Sequence, residues 1–160
     1  MVKKTTRILD FDDTLCYPSP FRTLKIYGDI EEQHRVAQTK EFIKLMMECP
    51  PAPWLAGRLL AFRTGKNFIV TGRHEYHRDI TEDWLKRHNI PFVKLHCVGF
   101  ENMKQYLREK DKIFSQILEE NPDDIVEFYE DSPEMLKMGR SKGFKIFRVE
   151  DGQLVEEPSL

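Results

Sequence analysis

The sequence predicts an α/β domain: a doubly wound parallel sheet of about five strands, with helices on both faces and a small flap inserted after the first strand. Three observations carry this. Five short apolar runs alternate with helix-length amphipathic stretches, which is the pattern of repeated βαβ units. Three of those runs stop in polar or acidic clusters, as strands do when they deliver side chains to the carboxyl edge of a sheet. The interval between the first and second runs is longer than a crossover needs, by about 25 residues.

The first run, Ile8-Leu9, ends in Asp10-Phe11-Asp12-Asp13-Thr14. Asp10 and Asp12 are two apart, so a continuing strand puts them on one face, where their repulsion calls for a cation or a shared proton. A hard divalent ion such as magnesium suits carboxylate oxygens. The plain alternative is an Asp-rich turn. Residues 16–28 carry Pro18 and Pro20 among aromatics and read as an ordered loop or flap. Asp29 is a candidate N-cap for a helix over 30–48, stopped by Pro50, Pro51 and Pro53. A second helix over 54–64 closes at Gly65 and leads into a buried strand at 67–71. Beyond it the expected order is helix 75–88, strand 91–98, helix 101–120, strand 124–129, helix 132–142 and strand 144–149, with 151–160 as a peripheral tail.

Length and composition set the class. A chain of 160 residues, 40% hydrophobic and 32% charged, fits a single domain over 1–160, with the insertion inside 16–66. A net charge of −2 gives no global signal for nucleic acid or an anionic membrane, so a polyanion would need a local basic patch. Cys16, Cys49 and Cys97 form no CxxC pair, which argues against a disulfide framework or zinc site and for a reducing, cytoplasmic setting. Met1-Val2-Lys3-Lys4 runs directly into the first strand without a signal or membrane segment. No obligate protein partner is implied.

Strand ends in Asp10 and Asp12, in Thr71-Gly72-Arg73, and in Glu130-Asp131 suit phosphoryl transfer when they converge on one crevice. DFDDTL resembles the DxDx[TV] first motif of the haloacid dehalogenase (HAD) superfamily. VTGR is similar to its second motif and YEDSPEML to its acidic fourth. Within that superfamily the pattern is most similar to the phosphatase domains of polynucleotide kinase-phosphatases and to HAD-like domains of RNA-repair proteins. One departure is that Thr5, Thr6 and Arg7 stand where the family usually has apolar residues.

The resemblance implies a magnesium-dependent phosphomonoester hydrolase, and the residue types support the same roles. Asp10 would attack phosphorus to give an aspartyl-phosphate. Asp12 would protonate the leaving oxygen and then activate water, which needs a pKa raised by acidic neighbours and burial. An acid at this position separates phosphatases from the transport ATPases of the superfamily. Thr71 would donate to the transferring group, and Asp131, with Asp10 and Asp12, would hold Mg2+, Glu130 acting through a water or from behind the direct ligands. Thr14 is expected to shape the backbone, and Asp13 is assigned no chemistry.

A lysine should bridge nucleophile and phosphoryl group; Lys112 is the favoured candidate over Lys104 and Lys110. Arg73, Arg22 and Lys25 are the expected substrate contacts. His74, His77 and Arg78 read either as a basic rim or, preferably, as an exposed helix face. The leading substrate class is a 3'-phosphate on nucleic acid or a nucleotide. The alternatives are a small-metabolite phosphatase and a catalytically silent HAD-like binding module.

Overall fold

The computed structural model describes residues 3–24, 29–99 and 101–155. Its sheet has six strands, in the order β3-β2-β1-β4-β5-β6. The strands are β1 (Thr5–Leu9), β2 (Lys66–Thr71), β3 (Lys94–Cys97), β4 (Ile125–Glu130), β5 (Lys145–Glu150) and β6 (Gln153–Val155). The first five are parallel neighbours, whereas β6 runs antiparallel to β5. This is the doubly wound, Rossmann-like arrangement that the sequence predicts, with one strand more. The sixth lies within the expected tail: Asp151 and Gly152 both adopt positive φ, and the resulting two-residue turn folds Gln153–Val155 back onto β5.

Side chains alternate across the sheet and give each face its own core. Leu9, Ile69, Leu95 and Tyr129 meet Trp54, Phe62, Trp84 and Leu85 on one side. Ile8, Phe68, Val70 and Phe128 meet Phe114, Ile117 and Met135 on the other. The first layer is built by α4 (Arg78–Arg87) and the 3₁₀ turns between Pro53 and Arg63, the second by α5 (Met103–Glu120) and α6 (Pro133–Ser141). Trp54, Tyr129 and Phe147 stack in a column with centroid spacings of 5.2 and 4.5 Å. Such ring pairs contribute about 0.5–1.5 kcal/mol each beyond buried area.

The polar start of β1 has a specific cause. Arg7 is buried with its Nε, its Nη1 and the face of its guanidinium all engaged. Nε meets Glu127 at 3.2 Å, Nη1 donates to the Thr64 carbonyl and to Asn67, and the plane lies over Phe62. The Thr6 hydroxyl donates to Asp124 at 2.8 Å. Buried polar groups at the amino edge of the sheet are therefore paired.

Between β1 and β2 lie α1 (Phe21–Leu24), α2 (Ile30–Ala37) and α3 (Lys40–Glu48). The single helix expected over 30–48 is broken: Thr39 takes extended backbone and caps α3 through its side chain on the Phe42 amide. A capping hydroxyl competes with the helical ladder and starts a new helix. The helix expected over 54–64 is two 3₁₀ turns instead. Leu24, Ala37, Phe42 and Met46 give this flap a small core of its own.

Candidate active site

β1 occupies the centre of the sheet with β2 on one side and β4 on the other, so its carboxyl end is the topological switch point at which such sheets bind ligands. Asp10 follows directly, with its amide donating to the Tyr129 carbonyl at 3.0 Å. Asp131 follows β4. The Thr14 hydroxyl lies 3.0 Å from Asp10 Oδ2 and 3.1 Å from Asp131 Oδ1; its one proton serves one carboxylate at a time. Oxygens of Asp10, Glu130 and Asp131 all lie within 4.8 Å of one another.

Three acids so close cannot all ionise without compensation. Burial, with the charge of Asp10 next, raises Glu130 well above the ordinary carboxylate range and pushes Asp131 up to about 8. One cation is supplied by the chain. Lys110 is fully buried, its Nζ 3.3 Å from Asp10 Oδ1 and 3.8 Å from Glu130 Oε2. Burial pulls its pKa down, but the charges of Asp10 and Glu130 outweigh that and hold the ammonium on. Glu130 Oε2 still has no hydrogen-bond partner. A buried carboxylate oxygen without a donor, converging with two more acids, fits a hard divalent ion that takes oxygen ligands.

Asp12 is not part of that cluster. Its carboxylate is gripped by Arg73, with Nε on Oδ2 at 2.9 Å and Nη2 on Oδ1 at 2.8 Å, and it accepts from Ser19 Oγ at 2.7 Å. Two expectations are thereby corrected. The Asp12 side chain is bound to Arg73 instead of joining the Asp10, Glu130 and Asp131 cluster, and its pKa is lowered rather than raised: burial is the largest single influence and acts upward, but the Arg73 charge and the Arg73, Ser19 and Cys16 hydrogen bonds together exceed it.

Arg73 is also corrected as a substrate contact. It is 2% exposed, donates to Thr81 at 3.0 Å and lies 4.2 Å from the centroid of Phe11. A fork committed on every side holds Asp12 in place.

Lys112 is not at the site. Its Nζ pairs with Glu109 on the exposed face of α5. Lys110 takes the expected place, and the helix explains why. Tyr106, Lys110, Phe114 and Ile117 recur at intervals of three or four and share one face, so Lys110 is the lysine on the buried stripe. The ring of Tyr106 lies over Lys110 Nζ, 4.9 Å from the centroid, and packs against Gly72 so closely that a Cβ there would meet it at 2.9 Å.

Thr71 is buried at the end of β2, where its Oγ1 accepts the Arg73 amide at 3.1 Å. Accepting there leaves the hydroxyl proton to be donated elsewhere.

Among the remaining candidates, Arg22 borders the site with half its side chain exposed and pairs with Asp13 at 3.4 Å. Asp13 itself accepts the Ser19 amide at 2.9 Å, so it orders the flap. Lys25 lies outside the described residues. His77 is buried with Nε2 2.8 Å from the Ala37 carbonyl, tying the flap to the loop after β2, while Arg78 forms surface ion pairs with Glu75 and Glu82. His74 precedes the first turn and lines the cavity, so neither histidine stands on an exposed helix face, and Arg78 does so only in part, since its Nη1 also donates to the Leu95 carbonyl. Ser19 and Tyr106 carry no sequence signal of their own. Lys110 did, as a charge inside an apolar stripe.

Comparison with known proteins bears on the fold alone. No known family model matches the sequence, and no curated protein does. Among solved structures, a chain of the Pnkp1/Rnl/Hen1 RNA repair complex is similar at TM-score 0.64 and 18% identity, over 92% of this chain and 42% of that one. The present chain thus spans less than half the length of that relative. A hydrolase from Streptococcus pneumoniae TIGR4 is similar at TM-score 0.55 and 13% identity, over 91% of this chain and 92% of its own. Both likenesses agree with a Rossmann-like α/β sheet. No helix among the described residues is long and apolar enough to cross a membrane.

Proposed function

We propose that the chain is a magnesium-dependent phosphomonoester hydrolase that works through an aspartyl-phosphate on Asp10, with a nucleotide or a nucleic-acid 3'-phosphate as the leading substrate class. The observation that carries this is the set Asp10, Glu130 and Asp131 around one point, with Lys110 buried against the first two. A nucleophilic carboxylate must approach a phosphate of like charge, and fixed positive charge beside both is what permits it. The motif resemblance and the fold of the RNA-repair and hydrolase relatives point the same way.

Asp10, Glu130 and Asp131 would hold the ion. Bound there, magnesium supplies charge neutralisation for the phosphoryl oxygens and a template for their orientation. Lys110 neutralises Asp10 and the transferring group together, and the Thr71 hydroxyl donates to a phosphoryl oxygen. As Asp10 Oδ forms its bond to phosphorus, the ester oxygen departs and takes a proton from Asp12. Arg73 keeps Asp12 ionised in the resting site; an incoming phosphate dianion adds negative charge beside it, raises its proton affinity, and lets it take up from solvent the proton it then passes to the ester oxygen. Once the alcohol has left, ionised Asp12 accepts a proton from the water that attacks phosphorus and frees Asp10.

The test is magnesium-dependent phosphate release from p-nitrophenyl phosphate, nucleoside 3'- and 5'-monophosphates and 3'-phosphorylated oligonucleotides, with Asp10→Asn as control. Release that requires both magnesium and Asp10 is expected. Equal inertness of wild type and Asp10→Asn across the panel would remove the hydrolase reading in favour of a binding module.

A further inference from the structure

The acid cluster is the floor of a cavity of about 410 Å³ whose upper part lies between the flap and the loop after β2. That upper part is neutral and ring-rich. Phe21, Leu24 and Ile30 come from the flap, Met103 and Tyr106 from α5, and Tyr76 from the loop. The cavity has two arginines among the described residues, Arg22 and Arg73, and both are paired with aspartates of the site, Asp13 and Asp12.

A built aromatic wall stands on one side. His74 and Tyr76 stack at 4.3 Å with their planes 17° apart. His34 of α2 stands edge-on to both, its Nδ1 2.6 Å from the Tyr76 hydroxyl. Behind the pair the backbone closes in: a Cβ on Gly99 would come within 3.3 Å of the His74 ring. His74 is three residues after Thr71, so chain length alone keeps their Cα atoms within about 11 Å of each other, and both residues line the same cavity.

From this cavity we infer that the site takes a phosphomonoester whose alcohol carries a single planar ring system, in the form of one nucleotide, with the base against the His74–Tyr76 stack. The inference rests on the hydrolase reading and narrows it. Cavities at the small end of about 300–1,000 Å³ enclose one small ligand, held by apolar and aromatic walls with a few polar groups. A nucleic-acid strand needs a row of unpaired basic side chains along its phosphates, and the described lining offers none. A flat base gains from stacking whatever its identity, which suits a wall of rings with few fixed donors.

The experiment compares kcat/KM for adenosine 3'- and 5'-monophosphate, ribose 5-phosphate and a 3'-phosphorylated oligonucleotide, using wild type, Tyr76→Ala and Tyr76→Trp. In wild type the mononucleotides are expected to exceed ribose 5-phosphate by at least about tenfold, the scale of one base stack, and to match or exceed the oligonucleotide. Tyr76→Ala should shrink the nucleotide-to-ribose ratio at least about fivefold, and Tyr76→Trp should restore it. The wild-type panel is informative even if a variant folds poorly. Ribose 5-phosphate cleaved as well as the nucleotides, or an oligonucleotide preferred about tenfold over its mononucleotide, would overturn the inference while leaving the hydrolase reading intact. Absence of Asp10-dependent release from every ester, p-nitrophenyl phosphate included, would overturn both.

Discussion

Lys110 and Lys112 are two residues apart on α5 and roughly 200° apart around it. Lys110 is sealed against Asp10 and Glu130, and Lys112 pairs with Glu109 in solvent. Lys110→Met is expected to lower kcat about 10²–10³-fold, the usual cost of removing one group that stabilises transition-state charge. Lys112→Met should stay within about twofold of wild type, as surface substitutions do. Parallel kinetics on p-nitrophenyl phosphate check this, and similar losses in both variants would sink the assignment. At Gly72 the limit is close approach: Gly72→Ala puts a methyl against the Tyr106 ring at 2.9 Å. The ring must shift off Lys110, and kcat should fall at least about tenfold; unchanged kcat would show that Tyr106 does not position the lysine.

Among the elements, α6 and the flap differ in how they are fixed. α6 packs on the sheet through Gly139, where an added Cβ would lie 2.4 Å from the Phe128 ring and 3.2 Å from Ile146. Phe128 is itself wedged between Phe114 and Phe144, so the contact cannot relax cheaply. Gly139→Ala should cost about 1–3 kcal/mol, the range for overpacking, read as a lower urea midpoint with an unchanged m-value. The flap rests on fewer buried residues, with Phe21 and Phe42 edge-to-face at 5.0 Å. Phe42→Ala should therefore raise hydrogen exchange across α1 to α3 while the protection of β1 and β4 holds. Uniform loss of protection would show instead that flap and sheet unfold as one unit.

For the whole molecule, the buried acids tie stability to pH. Asp131, held at about 8 in the fold, titrates near 3.9 in the unfolded chain, and Glu130 moves in the same direction. Between these values the folded state binds the extra proton, so without divalent ions stability falls as pH rises toward 8. Burial, the largest influence on each, lowers His77, His88 and His96. These oppose the trend, since their stabilisation is lost as pH drops below about 6.5. Comparing urea midpoints with and without magnesium isolates the carboxylates. Because protons must leave before the ion binds, the gain from magnesium should be larger at pH 8 than at pH 5.5. A gain independent of pH would remove Glu130 and Asp131 as the ligands.

By itself the sequence determined what depends on short-range pattern. Strand runs ending in Asp10, Thr71 and Glu130-Asp131 specified a parallel sheet and the edge at which those residues meet, because strand period and βαβ handedness leave few alternatives. Tertiary structure decided what depends on neighbours distant in sequence. Arg73 reads as an exposed phosphate clamp until Asp12, 61 residues away, is seen to occupy its fork. The Thr39 break between α2 and α3 and the return of β6 onto β5 were equally hidden, since a cap or an edge pairing is favoured only where packing rewards it. For Asp12 the local pattern predicts a pKa raised by acidic neighbours, but it is lowered, because the Arg73 charge and the Arg73, Ser19 and Cys16 hydrogen bonds that the fold brings beside it together outweigh burial. Local periodicity fixes which face a residue is on; only the folded chain fixes which charge stands opposite it.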